Sequence, residues 1–367
     1  MDWLAIILLV PATSAALYYA ILTSVGRRPR PLAAIEPRHR FAVLVPAHNE
    51  EISLPATLRS LHGADYPAEL VSVVVVADNC ADDTARVATA AGATVLVRHS
   101  ATERGKGYAL RLGLDAILPQ RPDAVVILDA DCQVDPRFFR ALNAWLADAQ
   151  AVQVAVETRN ADDGPTGYVG AIGNAFDNAL SAGKDRLGLA VPLRGSGMAF
   201  RREVLERFPW TEYGLVEDAD YAARLRAGGV RVRFVPEPLV KSESPARKAD
   251  LVQQRRRWRA AVFGGSGVIW NWVESKPLVL LQLALAGGAA ALTGSGWLVA
   301  WFAALVALTG LAYARMARDV GLSRRRLKSL AAAPAIVVRL ALVTLGGFGR
   351  RDLAWQRTRR AAEPARN

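Results

Sequence analysis

The sequence predicts an α/β fold, a mostly parallel sheet with helices on both faces, flanked by apolar helices. Three observations carry this. Between residues 40 and 240, short Val-rich runs alternate with stretches of helical period. Residues 3–25 are almost wholly apolar, and a second apolar region covers 278–314. Clusters of Asp, Asn and Glu fall just after three of the short runs. Strand–helix alternation of this kind builds a sheet whose strands run parallel and whose two faces are covered.

The runs at 41–45, 71–77, 94–97 and 124–128 read as buried strands, being short, Val-rich and bounded by polar or turn residues. Residues 82–91 read as a helix that begins at a capping Asp82 and ends before Gly92. Leu110, Leu114 and Ile117 recur at helical spacing within 108–118. Asp135-Pro136 is expected to open a further helix, with Asp as cap and Pro at the first position.

These readings divide the chain into a membrane anchor at 1–26 and a catalytic domain at 38–245. Interfacial helices at 246–275 and a transmembrane hairpin at 276–315, turned by Gly294-Ser295-Gly296, follow. Residues 316–367 form a basic segment with a re-entrant or third membrane helix and a basic tail. Arg27, Arg28 and Arg30 follow the first apolar run, so the positive-inside rule places residue 27 onward in the cytosol. The stretch 331–348 contains Pro334 and Arg339, and a crossing there would carry the basic tail outside. A re-entrant or interfacial helix avoids that conflict.

The net charge is +12, and the basic residues cluster at the edges of apolar stretches. That placement favours anionic lipid and a phosphorylated substrate over nucleic acid, for which no recognisable module is present. Two cysteines, Cys80 and Cys132, exclude a disulfide scaffold and lack zinc-site spacing.

In open α/β sheets, ligands bind beyond the carboxyl ends of the strands. The clusters there are Pro46-Ala47-His48-Asn49-Glu50-Glu51, Asp78-Asn79-Cys80 and Asp129-Ala130-Asp131. In extended backbone Asp129 and Asp131 share a face, which suits one Mg2+ or Mn2+ bridging a diphosphate. The bland alternative is a loop that caps the next helix. Asp78 suits a nucleotide base or ribose contact, or a plain turn. Lys106, between Gly105 and Gly107, can reach a phosphate. Its surroundings have neither Walker spacing nor the dinucleotide fingerprint, and no such glycine fingerprint follows the first strand, which argues against an oxidoreductase.

Glu217-Asp218-Ala219-Asp220 precedes a helix-like stretch. A carboxylate there can take a proton from an acceptor hydroxyl. Alternatively the acids match the helix dipole, which would lower the Asp pKa. Gln254, Arg257 and Trp258 lie in a basic stretch just before an apolar one. They read either as an interfacial helix or as a clamp in which Arg pairs with phosphate and Trp stacks on a sugar.

Together these residues resemble membrane-bound members of glycosyltransferase family 2, inverting transferases of the GT-A fold. The likeness is to the branch with ceramide glucosyltransferases and cellulose, chitin and hyaluronan synthases. It rests on Asp78 in VVVVADNCADDT, DAD at 129–131, Asp218 in LVEDADYAARL and QRRRW at 254–258, with FAVLVPAHNEE, ERGKGYAL and LRGSGMAFRREVL alongside. It covers roughly residues 40–260.

The resemblance implies a Rossmann-like nucleotide-diphospho-sugar transferase domain with N- and C-terminal transmembrane helices. It implies that Asp78 contacts the base, with Pro46, Ala47, Asn49 and Glu50 beside the nucleotide. It gives Asp131 the metal (Mn2+ or Mg2+), Asp129 the ribose or metal, and Asp218 the role of general base. Gln254, Arg257 and Trp258 would shape the diphosphate and acceptor site, Glu217 lies on the acceptor side, and residues 158–193 shape the acceptor pocket. Val216 stands where the family usually has Thr, and Asn79 and Cys80 replace Ser or Gly.

The expected activity is transfer from a UDP-sugar to a lipid or lipid-linked acceptor, on the cytosolic side of a bacterial inner membrane. A processive polysaccharide synthase, or a subunit of an exopolysaccharide assembly system, is the second reading, for which two or three later spans are few.

Overall fold

The computed structural model describes residues 2–26, 35–245, 252 and 275–346. Helix α1 (Asp2–Val25) leads into β1 (Phe41–Ala47), α2 (Leu54–His62), β2 (Val71–Asp78), α3 (Thr84–Ala90), β3 (Thr94–Arg98), α4 (Lys106–Ile117) and β4 (Ala124–Ile127). Next come β5 (Gln133–Val134), α5 (Phe138–Trp145), β6 (Ala151–Thr158), α6 (Pro165–Arg186), β7 (Met198–Arg201), α7 (Arg202–Arg207), α8 (Glu217–Ala227) and β8 (Val232–Ser242). Four further helices follow: α9 (Lys276–Thr293), α10 (Gly296–Val320), α11 (Arg324–Leu330) and α12 (Ala333–Leu345).

The eight strands form one sheet in the order β3-β2-β1-β4-β7-β6-β8-β5. The half expected from the sequence, β3-β2-β1-β4, is parallel throughout. The other half is mixed: β7 runs antiparallel to β4 and β6, β6 pairs parallel with β8, and β5 pairs antiparallel with β8. Alternate strand residues serve opposite faces. Phe41, Val43 and Val45 pack with Leu54, Leu58, Phe138 and Leu142 on one side. Ala42 and Leu44 pack with Leu110, Leu114, Tyr221 and Leu225 on the other.

Two helix starts differ from expectation. Asp82 lies before α3, where its Oδ1 accepts from Thr84 N at 3.1 Å, so it still satisfies an amide of the helix start. Asp135 and Pro136 precede α5 rather than open it. Asp135 accepts from Arg137 N at 3.0 Å, and its carbonyl accepts from Phe138 N at 3.0 Å, closing a turn ahead of the helix.

Among the described residues three helices, α1, α9 and α10, are long and apolar enough to cross a membrane. Helices α11 and α12 meet at a 45° bend and together would make a broken span or a re-entrant loop. Helix α6 joins this apolar group to the sheet. Phe176 meets Tyr19 edge-on at 5.1 Å and stacks on Tyr313 at 4.6 Å. The Tyr168 hydroxyl donates to the carbonyls of Ala317 and Gly321 at 3.3 and 3.1 Å. At Gly183 a Cβ would collide with the Leu22 backbone, so glycine is what allows α1 to lie against α6. The expected interfacial helices and the basic tail fall mostly outside the described residues, as do Gln254, Arg257 and Trp258.

Candidate active site

Strand β1 lies between β2 and β4, so the three carboxyl ends are neighbours. Asp78 is the last residue of β2, and Asp129 follows β4 after one residue. Asn49 and Asn79 turn the chain at φ 56° and 53°, a left-handed conformation that Asn tolerates better than most side chains. Asn49 Oδ1 accepts from Ala81 N at 2.7 Å, and Glu50 N donates to Thr84 Oγ1 at 2.8 Å. His48 Nδ1 donates to the Asp78 carbonyl at 2.7 Å. The loops after β1 and β2 are thereby tied together.

A cavity of about 1250 Å³ opens beyond these strand ends. Pro46, Ala47, Glu50, Asp78, Lys106, Asp129, Asp131, Glu217 and Asp218 all line it. Asn49 does not; its side chain braces the loop instead. The sequence placed the far wall only as a region, residues 158–193, with no single residue named. That wall is one face of α6, where Gly170, Gly173, Asn174, Asp177, Ser181 and Lys184 recur at helical spacing. The signal was present as small and polar residues every three or four positions. Leu340 of α12 closes part of the same wall.

Asp78 is buried and fixed. Its Oδ1 accepts from an Arg98 guanidinium nitrogen at 2.8 Å and from Asn79 Nδ2 at 3.0 Å. Arg98 also donates to Glu103 Oε2 at 2.8 Å.

Asp129, Asp131 and Cys132 each offer a ligand atom, all within 4.8 Å of one another. The Cys132 thiol lies 3.7 Å from Asp131 Oδ1 and accepts from Ser196 Oγ at 3.3 Å. Two carboxylates at this spacing offer the hard oxygen donors that Mn2+ and Mg2+ prefer.

Lys106 Nζ donates to Asp129 Oδ1 at 2.6 Å and to the Gly195 carbonyl at 2.5 Å, and lies 4.0 Å from Glu217 Oε1. Burial opposes its charge, but Asp129 and Glu217 outweigh it and hold the ammonium above the usual lysine range. Gly195, at φ 78°, turns its carbonyl to this lysine, and a Cβ there would sit 3.4 Å from Asp218 Oδ2.

Glu217 and Asp218 form the first turn of α8. Burial, opposed by Lys106 and reinforced by Asp218, pushes Glu217 up to about 7. Burial also raises Asp218 above the usual carboxylate range, against the pull of Lys106 and the Ala219 amide. A helix end alone would lower an Asp, and that expectation is not met here. Desolvation of the carboxylate inside the cavity outweighs the partial charge of the helix end.

The architecture places the chain among GT-A α/β folds. The structure superposes on the mannosyltransferase PcManGT of Pyrobaculum calidifontis, solved with GDP-Man and Mn2+, at a TM-score of 0.63, covering 93% of this chain and 97% of that one. At 23% identity this likeness is one of fold. The profile described as "Glycosyltransferase like family 2" matches residues 37–261, more than half of the sequence, and the chain belongs to that family. Curated relatives include the probable glycosyltransferase YdaM of Bacillus subtilis, 24% identical over 60% of this chain and 54% of its own length. The beta-monoglucosyldiacylglycerol synthase of Synechocystis sp. is 24% identical over 67% of this chain and 52% of its own length. The chain spans about half the length of these curated relatives.

Proposed function

We propose that the protein transfers a sugar, with inversion, from a UDP-sugar to a lipid or lipid-linked acceptor at the cytosolic membrane face. The observation that carries this reading is a single cavity that gathers Asp78, Lys106, Asp129, Asp131, Glu217 and Asp218 on one side and α6, packed on the apolar helices, on the other.

Asp78 receives the base. Its Oδ1 already accepts two bonds, so it suits a base offering one N–H, as uracil does, better than the paired N–H edge of guanine. Pro46, Ala47 and Glu50 flank the nucleotide. Asp129 and Asp131 would hold Mn2+ or Mg2+, which would supply positive charge against the departing diphosphate. Lys106 adds a second positive charge at the same place. Asp218 accepts the acceptor hydroxyl's proton as that oxygen bonds to the anomeric carbon. The bond from that carbon to the diphosphate breaks on the opposite side and UDP leaves, so one displacement inverts the configuration. A base with a raised pKa is better matched to this proton transfer at neutral pH. Glu217 stands on the acceptor side.

A lipid acceptor is favoured by the position of Lys276. It begins the apolar helix α9, and its Nζ donates to Asp177 on the cavity wall. One wall of the cavity thus meets the start of an apolar helix, which is headgroup depth if that helix crosses a bilayer.

The test is UDP release from a panel of UDP-sugars by detergent-solubilised protein, with and without Mn2+ and membrane lipid extract, beside Asp218→Asn. Lipid-stimulated, metal-dependent release with one sugar, absent from the variant, supports the reading. No release with any sugar and lipid, or product of retained configuration by NMR, overturns it.

A further inference from the structure

The segment 212–216, which leads into Glu217 and Asp218, is fastened to the first turn of α4. Tyr213 stacks on Tyr108 with ring centroids 4.3 Å apart and planes 14° from parallel. Between Lys106 and Tyr108 stands Gly107, where a Cβ would collide with the Glu212 carbonyl and come within 2.9 Å of Tyr213 Cα. Glycine is therefore what lets the 212–213 backbone lie directly on α4. Behind the contact, Glu212 accepts two bonds from Arg224 at 2.6 and 3.1 Å, and its carbonyl accepts from Trp210 Nε1 at 3.0 Å.

The same turn of α4 faces the donor side. Lys106 holds Asp129 and the Gly195 carbonyl. The Arg98 guanidinium that pairs with Asp78 lies 5.2 Å over the Tyr108 ring. One turn of helix thus meets the groups assigned to base and diphosphate on one side, and the approach to the general base on the other. Gly214, beyond Tyr213, has no side chain to pack, and Tyr213 is 40% exposed. A ring that exposed contributes little to the core, so the stack's effect is local.

We propose that Tyr108 and Tyr213 are positioning residues: their stack holds the start of α8 so that Asp218 faces the donor's anomeric carbon. This rests on the transferase reading above. The stack acts through ring area and needs no hydroxyl. Loss of the Tyr213 ring leaves the contacts of Asp78, Arg98 and Lys106 in place and lets residues 214–218 sample other positions, which lowers the fraction of complexes aligned for displacement.

The experiment compares Tyr213→Ala, Tyr213→Phe, Tyr108→Ala and the double Ala variant in the full-length protein. Transfer kcat should fall about two- to tenfold in either Ala variant, the range an aromatic pair supports. The Kd for UDP with Mn2+, measured by calorimetry, should stay within about twofold for Tyr213→Ala on the same grounds. Tyr213→Phe should restore kcat, and the double variant should be no worse than either single one. Unchanged kcat in Tyr213→Ala, failure of Phe to rescue, or fully additive losses would overturn the proposal. Hydrogen exchange at the amides of 214–219 separates this inference from the transferase reading. Faster exchange in Tyr213→Ala supports the latch even if the wild-type protein transfers no sugar; unchanged exchange refutes it whatever the activity.

Discussion

Replacing Lys106 by Met should move the acid limb of the transfer rate to higher pH. Transfer needs Asp218 ionised, so the rate is lost as pH falls through its raised folded pKa. Lys106 is a cation pulling both Asp218 and Glu217 down, with Nζ 4.0 Å from Glu217 Oε1 and both side chains largely buried. At that separation the attraction is about 4 kcal/mol at an effective dielectric of about 20 and about 1 kcal/mol in bulk water. With 1.36 kcal/mol per pH unit, that is roughly one to three units for Glu217, and the limb, set by Asp218, should rise in the same direction. The assay is initial rate against pH at saturating donor, read for the position of the limb rather than its height, since Lys106 also serves the diphosphate. A limb that stays put, or moves to lower pH, would show that Lys106 does not govern these carboxylates.

Three further outcomes are expected. Asp218→Asn should lower transfer by about 10²–10⁴-fold while UDP binding by calorimetry is retained; loss of binding in proportion would place Asp218 at the donor instead. Asp131→Asn should weaken Mn2+ binding, read by electron paramagnetic resonance of free Mn2+, whereas Asn49→Ala should leave it unchanged, because the Asn49 side chain is turned away from Asp129 and Asp131 to the Ala81 amide. Glu217→Gln should stabilise the protein above neutral pH. Its folded pKa of about 7 lies above the unfolded value of 4.5, so its contribution is fully present below about 4.5 and is lost as pH rises through about 7. Chemical denaturation should show the variant gaining on the order of 1–3 kcal/mol at pH 8 and almost nothing at pH 4.5; an equal gain at both would mean that ionisation is not the cause.

The parallel half of the sheet was legible because each strand is a short Val-rich run closed by polar residues, a pattern contained within a few positions. Its acids at 78, 129 and 131 were legible for the same reason, since a strand's carboxyl end predicts where a ligand binds. The antiparallel strands were not. Residues 198–201 are only four long and take their partners from β4 and β6, more than 40 residues away. Asn49 read as a site residue because it follows a strand, yet the left-handed turn sends its side chain to Ala81. Helix α6 was located only as a region. Its small and polar stripe becomes a cavity wall once Phe176 and Tyr168 commit the opposite face to α1 and α10.

By itself the sequence determined the α/β class, the apolar helices and the strand-end carboxylates, because these follow from composition and period over short windows. Tertiary structure alone decided that Lys106 pairs with Asp129 and the Gly195 carbonyl, that Asp177 meets Lys276, and that burial raises Asp218 despite its helix end. Each of these depends on which distant segments exclude water from the same cavity, and desolvation belongs to the assembled surface rather than to any stretch of chain.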